Sequence, residues 1–231
     1  MNSVVQIVTH CGSNVAHSSK VISFGGQNVT QTKIIDGTKT GSIFFITSNP
    51  GKLREVNQIL GLDFPFKIEP VNLDLEEIQD EDPDVIAITK CKEAVERLSN
   101  HPLIIEDSCL SFHALNGLPG PYVKWFEKKI GNDGLVRLLS GFEDKTASAI
   151  ASISFWDGKE MFVFRGVVQG TIVPPRGPQP SFGWDPIFLP CHFDKTYAEL
   201  GSDTKNEISH RAKALDLFKN HVKQFMADKI L

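Results

Sequence analysis

The chain has 231 residues, 41% of them hydrophobic and 23% charged, with a formal net charge of -4. That size suits one large or two-lobed globular domain, and the slightly acidic balance lacks the electrostatic footprint of a duplex nucleic-acid binder. No apolar run approaches the ~18 residues of a membrane span, and Cys11, Cys91, Cys109 and Cys191 show no CxxC or zinc spacing, so a reduced, cytoplasmic setting is expected.

Residues 1–42 are rich in Ser, Thr, Asn, Gln and Gly and contain no arginine. They match neither an arginine-rich transit peptide nor a secretory signal, and read as an appended, mobile extension ahead of a domain spanning 43–231. Within them Val4–Val8 and Val21–Phe24 are weak strand candidates. Ile43-Phe44-Phe45-Ile46 is a buried strand, covered on both faces. It breaks at Ser48-Asn49-Pro50-Gly51 into a helix, with Asn49 as N-cap, Pro50 at the first position, apolar residues at 53, 56, 59 and 60, and Gly61 as the stop. The first-turn N–H groups are expected to be free, so this terminus, with Lys52 beside it, suits an anion such as phosphate. An ordinary capped helix with a solvated lysine reads the same way.

A short strand is expected at 66–71, an acidic loop at 74–84 and a long amphipathic helix from Pro83 to about Asn100. Leu103-Ile104-Ile105 reads as a strand ending on Glu106-Asp107. After the turn Leu118-Pro119-Gly120-Pro121 come helices at about 122–130 and 132–140. Two long strands, 147–155 and 161–171, flank Asp157-Gly158, a hairpin signal. A loop at 174–180, a short strand at 186–189 and one final helix from about 206 to 226 complete the chain. This alternation predicts a mixed α/β sheet with a second lobe.

Two adjacent carboxylates at the carboxyl end of a buried strand lie where open α/β sheets bind ligands. They repel each other unless a lysine or a cation intervenes, and a hard divalent ion carrying substrate phosphates fits. The acidic stretch Asp74, Glu76, Glu77, Asp80, Glu81, Asp82 is either a solvated surface or a second source of ligands. In "SFGWDP" Phe182 and Trp184 could offer flat faces to a planar ring or lie in the core. His210-Arg211 could donate to carbonyl oxygens. Together these are the parts of a nucleoside-triphosphate site.

The motifs "TSNPGKLREV", "IIEDSCLSFHALNGLPGPYVKWF", "GFEDKTASA", "PRGPQPSFGWDPIF" and "TYAEL…KNEISHRAKAL" occur in order between about Ile43 and Met226. In them the chain resembles the inosine triphosphate pyrophosphatase (Ham1-like) family, its eukaryotic members most. The resemblance implies an elongated α/β fold with a mixed central sheet and two lobes flanking a nucleotide-binding cleft, usually in a homodimer. It implies Mg²⁺-dependent hydrolysis of ITP, dITP and XTP to the monophosphate and pyrophosphate, with Mn²⁺ as a substitute ion. Residue by residue, Thr47, Asn49 and Lys52 match the triphosphate-binding opening, and Glu77 and Asp107 the metal-binding carboxylates, with Glu106 beside them. Lys90 and Lys124 complete the positive lining. Phe182 and Trp184 match the stacking positions, with Asp185 beside the base. Lys205, His210 and Arg211 match the purine-edge contacts, and Ser209 lies in the same motif. Lys52, Glu77 and Asp107 are the expected catalytic set; either Asp107 or the Asp74/Glu77 loop orients the attacking water. The implied partners are the nucleotide and a second copy of the chain, without nucleic acid or membrane. A Maf-like pyrophosphatase acting on other modified nucleotides and a non-catalytic nucleotide-binding protein are the alternatives. The "SHR" and "FGWD" motifs oppose the first, and the carboxylates with Lys52 oppose the second.

Overall fold

The computed structural model describes residues 4–11, 14–21, 41–98 and 101–228. Strands β1 (Val4–Cys11) and β2 (Asn14–Val21) precede β3 (Ser42–Ile46), helix α1 (Pro50–Leu60), β4 (Lys67–Val71), α2 (Pro83–Arg97) and β5 (Leu103–Phe112). The short strand β6 (Pro119–Gly120), helix α3 (Val123–Leu138) and the paired strands β7 (Thr146–Trp156) and β8 (Met161–Ile172) follow. After β8 come a 3-10 turn at Asp185–Ile187, β9 (Phe188–Pro190), α4 (Tyr197–Ile208) and α5 (His210–Asp228). Among the described residues the strands form one mixed sheet in the order β2-β1-β8-β7-β5-β3-β4, with β6 on β5 and β9 on β8. The mixed α/β sheet with a second lobe is therefore as expected.

β5, β7 and β8 are long enough to serve both lobes. Their first-lobe ends carry Ile104, Ile153, Phe155, Phe162 and Phe164, which pack with α1 and α5 residues Val56, Leu60, Leu215 and Phe218 on one face. Leu103, Ile105 and Val163 pack with Ile88, Cys91 and Ala94 of α2 in a separate cluster. The far ends supply Leu110, Phe112, Ala147, Ala149, Val168 and Ile172 to a core with Leu135, Ile187, Phe188 and Tyr197. The cleft lies between these cores, at the middle of β5.

β5 does not end on Glu106-Asp107 as expected. Its parallel pairing with β3 covers only Leu103 and Ile104, but antiparallel β7 stays in register from Leu103↔Trp156 to Phe112↔Ala147. The two carboxylates therefore emerge where one neighbour departs and the other continues. The expected single final helix is also two. Ser209 is extended (φ -69°, ψ 163°) and its Oγ accepts from Ala212 N–H at 3.1 Å, so a serine N-cap restarts the helix at His210. The expected pair of helices at about 122–130 and 132–140 is present: α3 is two helical segments meeting at Gly131, which is non-helical at φ 64° and ψ -176°.

In the extension, β1 and β2 pair antiparallel, and β1 lies parallel to β8 from Val5↔Met161 to Cys11↔Val167. Val8 packs against the α1–α5 core. The second strand starts at Asn14, before the expected Val21–Phe24 run. Residues 1–3, 12–13 and 22–40, the greater part of the stretch expected to be mobile, lie outside the described residues. Removal of residues 1–40 should leave catalysis intact, because the cleft is built from residues after Gly41. It should lower the thermal midpoint by a few degrees, since β8 loses a ladder neighbour and its edge is bared. Fluorimetric melting alongside hydrolysis tests both halves, and a truncation that loses activity contradicts the first.

Candidate active site

A cleft of about 870 Å³ is lined by Thr47, Asn49, Lys52, Glu77, Lys90, Asp107, Lys124, Phe182, Trp184, Asp185, Lys205, His210 and Arg211, while Ser209 and, of the acidic stretch, Glu76, Asp80, Glu81 and Asp82 lie outside it. The volume suits a nucleotide-sized ligand.

At the β3–α1 turn the backbone donors are more occupied than expected. Asn49 Oδ1 accepts from Gly51 N–H at 2.8 Å and Lys52 N–H at 3.3 Å, and Thr47 Oγ1 accepts from Asn49 N–H at 3.1 Å. An anion at this turn would have to be met mainly by side chains. Lys52 Nζ donates to the Glu106 carbonyl at 2.9 Å and pairs with Glu106 Oε2 at 2.8 Å. Gly51 has no room for a side chain, since a Cβ would lie 2.9 Å from the Phe182 ring. That contact brings the aromatic loop against α1.

The adjacent carboxylates divide their work. As residues alternate along β5, Glu106 points into the protein, where its side chain is 1% exposed and meets Lys52, Arg211 Nη2 (3.1 Å) and Ser108 Oγ (2.5 Å). Burial pushes its carboxyl up, but the charges of Arg211 and Lys52 outweigh this and hold it well below the usual range. Glu106 is an anchor for cations. Asp107 faces the cleft, with Oδ2 3.2 Å from Lys90 Nζ. Glu77, on the acidic loop, meets Lys90 at 3.0 Å and Lys124 at 2.7 Å. Burial pushes Glu77 up, while hydrogen bonds from Lys124 and Lys90 bring it down to about 2. The rest of the acidic stretch is partly structural: Asp82 caps α2 at Asp84 N–H and, with Asp84, pairs with Arg165.

Among the described residues no group of three or more His, Cys, Asp or Glu side chains could hold a metal. Glu77 and Asp107 nevertheless converge on a single cation, the Lys90 ammonium, which lies 3.0 Å from Glu77 Oε2 and donates to Asp107 Oδ1 at 3.3 Å. Two carboxylates form a partial oxygen set, which suits Mg²⁺, an ion that keeps waters and takes phosphate oxygens.

At the other end Trp184 is largely core. It is 8% exposed and packs on Phe188, Tyr197 and His210. Phe182 is half-buried, with Lys205 Nζ 4.9 Å and Arg211 Cζ 5.8 Å from its ring centroid, and is the better placed of the two rings for stacking. Arg211 is 1% exposed and already carboxylate-bound, to Glu106 and Glu55. Lys205 bridges Glu55 (2.9 Å) and Asp185 (2.6 Å). A continuous ion-pair chain thus runs Lys52–Glu106–Arg211–Glu55–Lys205–Asp185. Sequence reasoning missed its central member, Glu55. The available signal was its position three residues after Lys52 on a helix, where the two side chains share a face. The start of α5 comes this close to β8 because residue 166 is glycine; a Cβ there would lie 2.1 Å from the His210 carbonyl.

Among the described residues, neither ring nitrogen of buried His210 nor Nε of buried Arg211 has a hydrogen-bond partner. Burial, then the charges of Arg211 and Lys205, pushes the His210 imidazole well below its ordinary 6.5 and keeps it neutral. The unfolded chain takes up a proton on this residue as pH falls through about 6.5 and the folded chain does not, so stability falls with pH there. Glu55 and Glu106 have lowered carboxyl pKa values, so their contribution is present above about 4.5 and lost below it. Calorimetric midpoints should therefore decline from pH 7 to 5.5, before the carboxylates titrate. His210→Gln should flatten this slope, with a remainder from His221, which burial also lowers. Parallel slopes in the two proteins would refute the assignment.

Residues 43–221 match the model of the Ham1 family. The Ham1 protein of Staphylococcus aureus has 30% sequence identity and a TM-score of 0.68, over 79% of this chain and 98% of that one. The HAM1 protein of Coxiella burnetii has 29% identity and a TM-score of 0.70 over the same shares. A nucleoside-triphosphatase, dITP/XTP pyrophosphatase, of Mycobacterium abscessus has 28% identity and a TM-score of 0.59, over 77% of this chain and 98% of that one. The matched span begins with β3 and extends into α5, so it contains every cleft residue described above, and the chain belongs to the Ham1 family.

Proposed function

We propose that this protein hydrolyses the non-canonical purine nucleoside triphosphates ITP, dITP and XTP to the monophosphate and pyrophosphate, removing deaminated purines from the nucleotide pool. Family membership supports the reaction class. The observation that carries the reading is the polarity of the cleft. Lys90 and Lys124 pair with Glu77 and Asp107 in one group, Phe182 meets Lys205 and Arg211 in another, and Lys52 stands between them through Glu106, which also holds Arg211. A triphosphate would reach from Lys52 to the first group, and a base would occupy the second.

Lys52, Lys90 and Lys124 bind the phosphates, and Glu77 and Asp107 would hold the divalent ion, Mg²⁺ with Mn²⁺ as substitute. When bound, that ion neutralises phosphate charge as a Lewis acid. Asp107 orients a water for in-line attack on the α-phosphorus and receives its proton as the bond to the β-phosphate oxygen breaks and pyrophosphate leaves. Phe182 stacks on the purine. Neutral His210 and the unpartnered Arg211 N–H face the 6-oxo group, an acceptor in inosine and xanthosine and an amino donor in adenine. Two donors facing each other in a desolvated site cost ~1–3 kcal/mol, more when one is charged.

The chain would act as a cytoplasmic homodimer; free Cys91, Cys109 and Cys191 are consistent with a reduced compartment. Among the described residues no helix is long and apolar enough to cross a membrane. A phosphate assay with added pyrophosphatase, on ITP, XTP, ATP and dUTP with and without Mg²⁺, tests the function. Metal-dependent release confined to ITP and XTP is expected, and equal rates on ATP or dUTP would overturn it.

A further inference from the structure

Glu77 and Asp107 come from different segments, a loop and β5, and an ammonium group joins them. Lys90 Nζ lies 3.0 Å from Glu77 Oε2 and 3.2 Å from Asp107 Oδ2, and Lys124 Nζ lies 2.7 Å from Glu77 Oε1. The Lys90 side chain is only 11% exposed. Lys124 is different: it is 66% exposed and reaches Glu77 from α3.

We propose that Lys90, assisted by Lys124, is a built-in counter-ion that sets the order of loading. The carboxylate pair takes a divalent cation tightly only after nucleotide phosphates have drawn the two ammonium groups away. This rests on the reading of the cleft as a metal-assisted triphosphate site. An entering dication must displace Lys90 from both carboxylates or share them with a like charge at close range. Phosphate oxygens offer the lysines replacement partners, and a lysine's flexible stem permits that exchange where an arginine fork would resist it. The coupling is reciprocal, so a metal ion already bound frees the lysines for phosphate by the same factor. Free enzyme would thus hold little metal, and its carboxylates would be kept apart from stray cations by Lys90.

The test is Mn²⁺ binding to the nucleotide-free protein, followed by electron paramagnetic resonance and calorimetry. Lys90→Met keeps length and removes charge; it should bind Mn²⁺ about tenfold more tightly than wild type. Lys124→Met, at an exposed position, should give a smaller gain, about threefold. Asp107→Asn is the control for the site itself. If Asp107→Asn leaves Mn²⁺ binding unchanged, the reading of the metal pair fails. If Asp107→Asn abolishes binding but Lys90→Met binds no tighter than wild type, the loading order alone fails. Should Lys90→Met not fold, Lys124→Met decides: unchanged or weaker Mn²⁺ affinity overturns the proposal.

Discussion

Asp107→Asn should lose about 10²–10³-fold in kcat toward ITP, because the amide keeps the volume but removes the charge that holds metal and orients water. The fold should survive. The Asp107 side chain is 29% exposed, and Lys90 retains Glu77 as a partner, so the stability change should be within ~1 kcal/mol. Steady-state kinetics over a magnesium titration, with a melting curve on the same sample, separates chemistry from folding. Near wild-type turnover at any magnesium concentration would remove Asp107 from the mechanism.

Arg211→Ala should be the most destabilising single change in the cleft. Arg211 is 1% exposed and ties Glu106, itself 1% exposed at the side chain, to Glu55. Deleting it leaves Glu106 with Lys52 and Ser108 alone, and removing one partner of a buried pair costs ~3–5 kcal/mol. The thermal midpoint should drop by on the order of 10 °C. Adding Glu106→Gln should recover part of this, since the orphaned charge goes with it. The same variant should lower the ITP-to-ATP ratio of kcat/KM mainly by weakening ITP, because a donor to the 6-oxo group is lost. A variant as stable as wild type would show that the buried chain is not a strut. An unchanged ratio would show that Arg211 does not read the base.

The two results would separate roles that the sequence merges. Glu106 and Asp107 are neighbours of one charge type, and no pattern in "IIEDS" says which serves the cleft. The pleat of β5 decides, because successive side chains leave a strand on opposite faces. Phe182 and Trp184 share a face by the same logic, yet the 3-10 turn beginning at Asp185 and the packing of Tyr197 and Phe188 hold Trp184 in the core and leave Phe182 over the cleft.

What the sequence determined by itself was local. The strand–cap–helix at Asn49 and Pro50, the hairpin about Asp157-Gly158 and the apolar runs of β3, β5, β7 and β8 follow from residue types and periods that act over a few positions. The ordered motifs also supplied Lys52, Asp107, Phe182 and Arg211 among the cleft-lining residues, though they did not single out Glu55 behind them. Tertiary structure decided how far β5 runs, since its length depends on β7, a partner some 40 residues away. It placed β1 on β8, although weakly apolar strands of this kind carry no address for their neighbour. It decided that the donors of α1's first turn are taken by Asn49, and that Lys52, Arg211 and Lys205 are knit together through Glu106 and Glu55. Ion pairs of this kind join residues more than 50 positions apart; they form only when burial removes water as a competing partner, and burial is a property of the assembled fold.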